Sequence, residues 1–333
     1  MKSILNKLFD HQALDQETAK HILTQIAKGD INTSQMAAFM TVYLMRPITV
    51  EELAGFRDAM LEMCNAVDLS AYNPVDIVGT GGDGKNTFNI STLSSFIVAG
   101  AGQAVAKHGN NSVSSVSGSS NVLVQAGVKF TNEQDKLEEL LDKAGICFLH
   151  APLFHPAMAN VAPVRKELGV RTFFNILGPL TNPSMPKNMV NGVYNLGLAR
   201  LYGYLYQNSD KNFTILHALD GYDEISLTGA VKLINNQGEQ TLTAQDLGFE
   251  QHPAEALYGG NSVKDAATIF MNILEGRSTT AQSQVVMANA GVSIQCAQPE
   301  LSLEEAMAKA KESLESGAAL RSFKTFVELS QKF

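Results

Sequence analysis

With 333 residues, 45% hydrophobic and 17% charged, the chain has enough apolar mass for two structural units and too little charge for a disordered segment of any length. A formal net charge of −8 opposes a partner such as nucleic acid, which is held by neutralising many phosphates. No apolar run reaches the roughly eighteen residues of a membrane span, so no membrane partner is expected. Met1 to Leu5 soon meet Asn6, Lys7, Asp10 and His11, which is not the pattern of an export leader. Cys64, Cys147 and Cys296 are scattered and odd in number. They predict reduced thiols and a cytoplasmic location, and none has a neighbour at zinc-site spacing.

In chain order, Ile4, Leu5, Leu8 and Phe9 stand at helical spacing, and Ala19, Ile22, Leu23 and Ile26 repeat it before Gly29 and Asp30 stop the segment. Thr33 or Ser34 is expected to cap the next helix, which runs to Pro47. Thr49-Val50-Glu51-Glu52 has capping-box form and opens a helix through Met63. Residues 1–66 therefore predict a small all-helical domain. Beyond Tyr72-Asn73-Pro74 the character changes: Asp76-Ile77-Val78 is a strand, Ser94–Ala101 a buried helix, and Ala104-Val105-Ala106 another strand. Further strands are predicted at Phe213–Leu219 and Ala230–Ile234, with a turn at Asn235–Gly238. Helical periodicity returns over Ser262–Glu275 and Ser302–Phe333. The alternation predicts an α/β domain over 72–333.

The most informative stretch is Gly79-Thr80-Gly81-Gly82-Asp83-Gly84. Four glycines in six residues after a strand allow a tight turn that presents several amides to one anion, or simply a tight turn. It fits neither a nucleotide-triphosphate loop nor the dinucleotide fingerprint. Asn89, Ser91 and Thr92 stand at the start of a helix, where they either cap it or bind phosphate and metal oxygens. Lys107-His108-Gly109-Asn110 follows a strand, and Ser117-Gly118-Ser119-Ser120 reads as a second hydroxyl-rich loop. Four polar loops, each at the end of an apolar element, argue for one site.

In this order and spacing, Gly79–Asp83, Asn89–Thr92, Lys107–Asn110 and Ser117–Ser119 resemble the anthranilate phosphoribosyltransferase family. The similarity extends through His155–Met158, Ala162–Gly169, Phe174–Pro183 and Asp220–Ser226. The resemblance implies a nucleoside phosphorylase/phosphoribosyltransferase-like fold, with a small helical domain, a larger α/β domain and the active site at the hinge. It also implies a chain return to the helical domain near 155–182, and a homodimer formed through that domain. Phosphoribosyl pyrophosphate is then expected at Gly79, Gly81, Gly82, Asp83, Thr87, Asn89, Ser91, Thr92, Lys107 and Ser119. Anthranilate is expected at Gly79, His108, Asn110, Pro152, His155, Arg165 and Gly178, with Ala151 and Met158 also lining its path. Arg165 would hold the carboxylate through two parallel hydrogen bonds. Magnesium (Mg2+) is expected at Asp223 and Glu224 with Ser91, because adjacent carboxylates beside an anionic ligand need an intervening cation. No acid or base catalyst is expected, since an aromatic amine already carries its lone pair at neutral pH.

The chain departs from the family pattern at Asn111, where an arginine is usual, at Ser120-Asn121, where Ala-Asp is usual, and at Val116, where a basic residue is frequent. Two other readings compete: a pyrimidine nucleoside phosphorylase, which has no use for Arg165, and a nucleic-acid-binding relative, which the negative charge opposes.

Overall fold

The N-terminal helices form where apolar residues recur on one face and polar side chains satisfy the first-turn amides. A computed structural model describes residues 1–111 and 116–333, which divide into two compact units. The helical unit comprises Met1–Ala66 and Pro152–Pro183. Its first four helices are α1 (Lys2–Phe9), α2 (Gln16–Lys28), α3 (Thr33–Met45) and α4 (Val50–Glu62). Gly29 ends α2 in the left-handed conformation, at φ +83°, as its position predicts. The capping box at Thr49 and Glu52 is present in full. Neither Thr33 nor Ser34 caps α3. Asn32 does, its side chain accepting from the amide of Gln35, because the helix begins one residue earlier than the apolar pattern indicated.

The returning segment belongs to this unit by packing. Phe173 stacks on Phe56 of α4 at 4.7 Å and meets Phe39 and Tyr43 of α3 edge-on. Asn160 donates to the carbonyl of Ala27 at the end of α2. A second anchor is Glu52, which is fully buried. Its carboxylate accepts from the amides of Leu14 and Thr49, from Tyr43 Oη, and from both terminal nitrogens of Arg46.

The α/β unit comprises Val67–Ala151 and Ser184–Phe333. Its seven strands are β1 (Val75–Gly79), β2 (Val105–Gly109), β3 (Ile146–His150), β4 (Asn188–Gly192), β5 (Asn212–Ala218), β6 (Val231–Asn235) and β7 (Gly238–Leu242). They lie in the order β3-β2-β1-β4-β5-β6-β7, parallel as far as β5 and antiparallel beyond it. The Asn236-Gln237 turn closes the β6–β7 hairpin. From β1 the chain builds outward in one direction through β2 and β3, then in the other through β4 and β5. The β1–β4 junction is thus the switch point, where a crevice opens at the carboxyl ends of the strands. The helix α5 (Ile90–Gly100) packs on β1 and β2, and the helix Thr280–Ala297 packs on α5, β4 and β5. Phe96, Phe270, Phe323 and Phe326 form the aromatic part of this core.

Candidate active site

β1 ends at Gly79 and runs directly into the glycine turn. Gly81, Gly82 and Gly84 all have φ in the left-handed region, between +62° and +77°, where a side chain would be strained. At the matched ends of the central strands Gly79 pairs with Gly192. A Cβ on Gly192 would overlap the carbonyl oxygen of Asp223, and one on Gly79 would overlap its carboxylate. The two glycines thus let the loop after β5 lie across the strand ends. Gly79 was expected from sequence. Gly192 was not, although an Asn-Gly pair ending an apolar strand is a signal of close backbone approach.

That loop carries the acidic pair. Asp223 Oδ2 accepts from the amide of Gly81 at 2.6 Å, and Glu224 Oε1 accepts from the amide of Ser91 at 2.8 Å. Burial, and then the charge of Asp83, holds the Asp223 carboxyl well above the usual carboxylate range. Burial, and then Asp223 itself, does the same to Glu224. Asn289, from the helix Thr280–Ala297, clamps the next residue by accepting from the amide of Ile225 and donating to its carbonyl. Lys85 sits over the ring of Tyr222 at 4.6 Å and ties the glycine turn to the acidic loop. Asp83 stabilises the turn by accepting from the amide of Lys85. Asn289 and Lys85 were both missed in the sequence, where nothing distinguishes them from a core amide and a surface lysine.

On the other side of the crevice, Asn89 occupies the position before α5 without capping it. Its Nδ2 donates instead to the carbonyl of Ser117. Thr92 is buried in the first turn of the helix, and Thr87 forms an antiparallel bridge with Tyr258. Lys107 and His108 lie within β2 rather than after it, because the strand continues to Gly109. Lys107 is 2% exposed and donates to the carbonyl of Ile77, with Ser91 Oγ at 3.4 Å. Burial pushes its pKa down to about 8, with Asp76 and Glu224 opposing the fall. His108 presents Nδ1 to the buried carboxylate of Asp76 at 2.5 Å.

The serine-rich segment is also more ordered than a loop. Ser119 and Ser120 open the helix α6 (Ser119–Gln125), and the carbonyl of exposed Asn110 accepts from Ser119 Oγ and the Ser120 amide. Both departures from the family pattern find local partners here. Asn121 accepts from the amide of Gly118 at 3.0 Å, and Ser120 Oγ meets His150 Nδ1 at 2.9 Å. His150 in turn stacks on Phe130.

Of the remaining expected residues, Ala151 ends the first segment of the α/β unit and the others belong to the helical unit. Arg165 lies on the helix Ala162–Leu168, its guanidinium over the ring of Phe174 at 5.3 Å and within 3.4 Å of Asn175 Oδ1. Burial alone lowers its pKa, and no acidic side chain among the described residues contributes. His155 is buried, its Nε2 engaging the carbonyl of Thr181, so this nitrogen ties the returning segment to itself. Pro152 and Gly178 are exposed.

The helical bundle domain of a glycosyl transferase family matches residues 2–64, and that family's a/b domain matches residues 71–320. The anthranilate phosphoribosyltransferase of Christiangramia forsetii is 58% identical, over 99% of this chain and all of its own. That of Bacteroides thetaiotaomicron is 55% identical over the full length of both. The crystal structure of the Thermus thermophilus enzyme superposes with a TM-score of 0.91 at 33% identity, covering 98% of this chain and 99% of that one. The Saccharomyces cerevisiae enzyme, in complex with PRPP and Mg, gives 0.91 at 28% identity, covering 99% and 98%. The chain belongs to the anthranilate phosphoribosyltransferase family.

Proposed function

We propose that this chain transfers the 5-phosphoribosyl group from phosphoribosyl pyrophosphate to the amine of anthranilate, giving N-(5-phosphoribosyl)anthranilate and pyrophosphate, a step of tryptophan biosynthesis. One observation carries the reading. At the switch point, amides of the glycine turn and of α5, a buried lysine and two adjacent carboxylates converge, which is a set for a polyanion together with its counter-cation.

The amides of Gly81 and Ser91, both already aimed at carboxylate oxygens, are the natural donors to pyrophosphate oxygens. Lys107 adds a cation whose position is fixed before substrate arrives, so no reorganisation is needed as charge develops. Asn89, through Ser117, couples the start of α5 to the serine segment, so that Ser91 and Ser119 address one ligand. Asp223 and Glu224 fit magnesium on two counts. They are hard oxygen donors, and burial followed by repulsion from Asp83 and from one another holds both carboxyls above the usual range, so a bound cation would stabilise their ionised forms. Among the described residues no group of three acidic, cysteine or imidazole side chains is placed to hold a metal by itself, so Ser91 and substrate oxygens would complete the coordination that Asp223 and Glu224 begin. Magnesium when bound would neutralise the departing pyrophosphate.

The reaction forms a bond from the amine nitrogen to ribose C1 and breaks the bond from C1 to the pyrophosphate oxygen. Positive charge on the sugar and negative charge on the leaving group build together, so catalysis comes from alignment and charge stabilisation. Arg165 holds the anthranilate carboxylate. Its guanidinium is partly desolvated, its face is supported by Phe174, and no acid among the described residues neutralises it. A cytoplasmic location follows from the reading of three unpaired cysteines and from the pathway. A homodimer through the helical unit is supported by exposed Phe9 on α1 and exposed Leu44 and Met45 at the end of α3.

Loss of anthranilate fluorescence in the presence of phosphoribosyl pyrophosphate and magnesium tests the activity. We expect consumption to require both. Arg165→Ala should raise the anthranilate KM by about 10- to 100-fold with the cosubstrate KM unchanged, as expected for loss of a charge-assisted pair. Folded protein that consumes no anthranilate, yet cleaves a pyrimidine nucleoside with orthophosphate, would move the chain to the phosphorylase reading. Met45→Glu should lower the mass of the particle in sedimentation if the dimer is real.

A further inference from the structure

Asn289 stands in a stretch of helix that is buried at every residue from Val285 to Ile294. A polar side chain there is costly unless its donors and acceptor are all used. Those of Asn289 are. Nδ2 donates to the carbonyl of Val285 one turn back, at 2.9 Å, and to the carbonyl of Ile225 at 2.8 Å. Oδ1 accepts from the amide of Ile225 at 3.0 Å. The bond to Val285 fixes the side chain on its own helix. The other two take the N–H and C=O of one residue together, as a neighbouring strand would. What they hold is the backbone beside the acidic pair. The N–H of Ile225 shares a peptide plane with the carbonyl of Glu224, and its own carbonyl lies in the next plane, so both planes after Glu224 are fixed. The Glu224 side chain then reaches α5, where Oε1 accepts from the amide of Ser91. A continuous line of hydrogen bonds thus runs from the helix Thr280–Ala297 through Ile225 and Glu224 to α5. Ser91, Asp223, Glu224 and Asn289 also line one small cavity at the strand ends.

We propose that Asn289 is a positioning residue that sets the affinity of the Asp223–Glu224 pair for magnesium by holding the backbone of Glu224. This rests on the reading above that the pair binds magnesium beside phosphoribosyl pyrophosphate. Asn289 acts through Ile225, as a partner that orients a metal ligand rather than as a ligand itself. Two like charges on adjacent residues drive each other apart, and a loop tethered at Ile225 cannot relax to separate them. Magnesium accepts little departure from octahedral geometry, so a carboxylate that drifts is a ligand lost. An apolar residue of the same shape would pack this helix segment as well. The amide is accounted for by the loop it holds.

Asn289→Leu keeps the shape of the side chain and removes all three bonds. Asn289→Ser is the milder variant, because its hydroxyl can turn back to the Val285 carbonyl and the vacated space can take water. It carries the measurement if the leucine variant does not fold. Manganese, as a paramagnetic stand-in for magnesium, is titrated with phosphoribosyl pyrophosphate present and anthranilate absent, and binding is followed by water-proton relaxation. The manganese dissociation constant should rise about 10- to 100-fold in Asn289→Leu and at least about fivefold in Asn289→Ser. Hydrogen exchange at the Ile225 amide should quicken in both. In steady state the magnesium requirement should rise by the same factor, with kcat at saturating magnesium within about threefold of the wild type. Ser322→Ala is the control for general destabilisation, since it loses a buried hydrogen bond to the carbonyl of Ala144 in the same unit. It should lower thermal stability and leave manganese affinity alone. Variants that lose protection at Ile225 yet bind manganese like the wild type would overturn the proposal. An equal loss of affinity in Ser322→Ala would do the same. A wild type that binds no manganese beside phosphoribosyl pyrophosphate would instead sink the metal reading, and the role of Asn289 with it.

Discussion

Two buried acidic sites, one in each unit, show how the same chemistry is put to opposite uses. Glu52 in the helical unit is fully buried, yet its carboxyl lies below the usual range. Burial alone would raise it, but Arg46 and the amides of Leu14 and Thr49 outweigh that cost. Asp223 and Glu224 in the α/β unit each receive one backbone amide and face one another and Asp83, and both are held above the range. A carboxylate whose oxygens are filled by the fold is a structural part. A pair that the fold packs together without an equal share of donors is suited to the proposed cation.

Removing the structural carboxylate should have the largest effect on the fold. Glu52→Gln leaves Arg46 half-buried beside a neutral amide, and stripping one partner from a buried pair costs about 3–5 kcal/mol. Thermal unfolding should show this as a large drop in midpoint. If the variant unfolds like the wild type, Glu52 does not anchor the helical unit. Because its pKa is depressed in the folded state, its stabilising contribution is complete above the ordinary carboxylate range and is lost as pH falls through its folded value.

The functional pair should show the opposite slope. In magnesium-free protein its carboxyls hold protons that the unfolded chain has already released, so stability should decline as pH rises from about 5, just above the ordinary range, toward 8. Asp223→Asn should flatten that decline and at the same time weaken the response of activity to magnesium. A variant with the wild-type slope would show that the raised values have another origin. The loop's seat can be broken separately. Gly192→Ala pushes a methyl into the Asp223 carbonyl, and a displacement on the order of 1 Å at a catalytic loop costs about 100-fold in kcat/KM. Unaltered kinetics would mean that the acidic loop does not need its close approach to β4.

The same contrast explains what could be read in the sequence. The glycine turn, the capping box at Thr49 and the β6–β7 turn were legible because each depends on local residue chemistry that no distant contact has to supply. The helix Thr280–Ala297 was not. From Val285 to Ile294 every residue is buried, so the helix has no polar face to set a period, and Asn289 is hidden among its apolar neighbours. β4 was missed for the converse reason. Buried Asn188 and Asn191 make it look like a loop, and the Asn188 side chain is satisfied by Asn73, Pro74 and Asn212, which are remote in the chain. Among the site residues, those lying in glycine- or hydroxyl-rich segments were visible. Asp76 and Gly192 were not, because each acts through a residue more than 30 positions away.

The smallest expected effect concerns the altered serine segment, which tests whether an uncharged contact can do what a charged one usually does. Ser120 and Asn121 replace the family's Ala-Asp, and the segment has lost charge at Asn111 and Val116 as well. Yet the amide of Gly118 is satisfied by Asn121, and Ser120 reaches across to His150, which is braced by Phe130. The start of α6, where Ser119 is proposed to meet phosphate, is therefore held by the neutral hydrogen bonds of Ser120 and Asn121, beside those to the Asn110 carbonyl, instead of a carboxylate. Ser120→Ala restores the family residue but removes one of them, at a cost of about 1 kcal/mol for a hydrogen bond between uncharged partners. The KM for phosphoribosyl pyrophosphate should then rise by about fivefold, with the anthranilate KM unmoved. Adding Asn121→Asp should recover the lost affinity if a charged cap can substitute for the Ser120–His150 tie. If Ser120→Ala alone binds as tightly as the wild type, the tie does not order Ser119, and the departures at these positions are neutral.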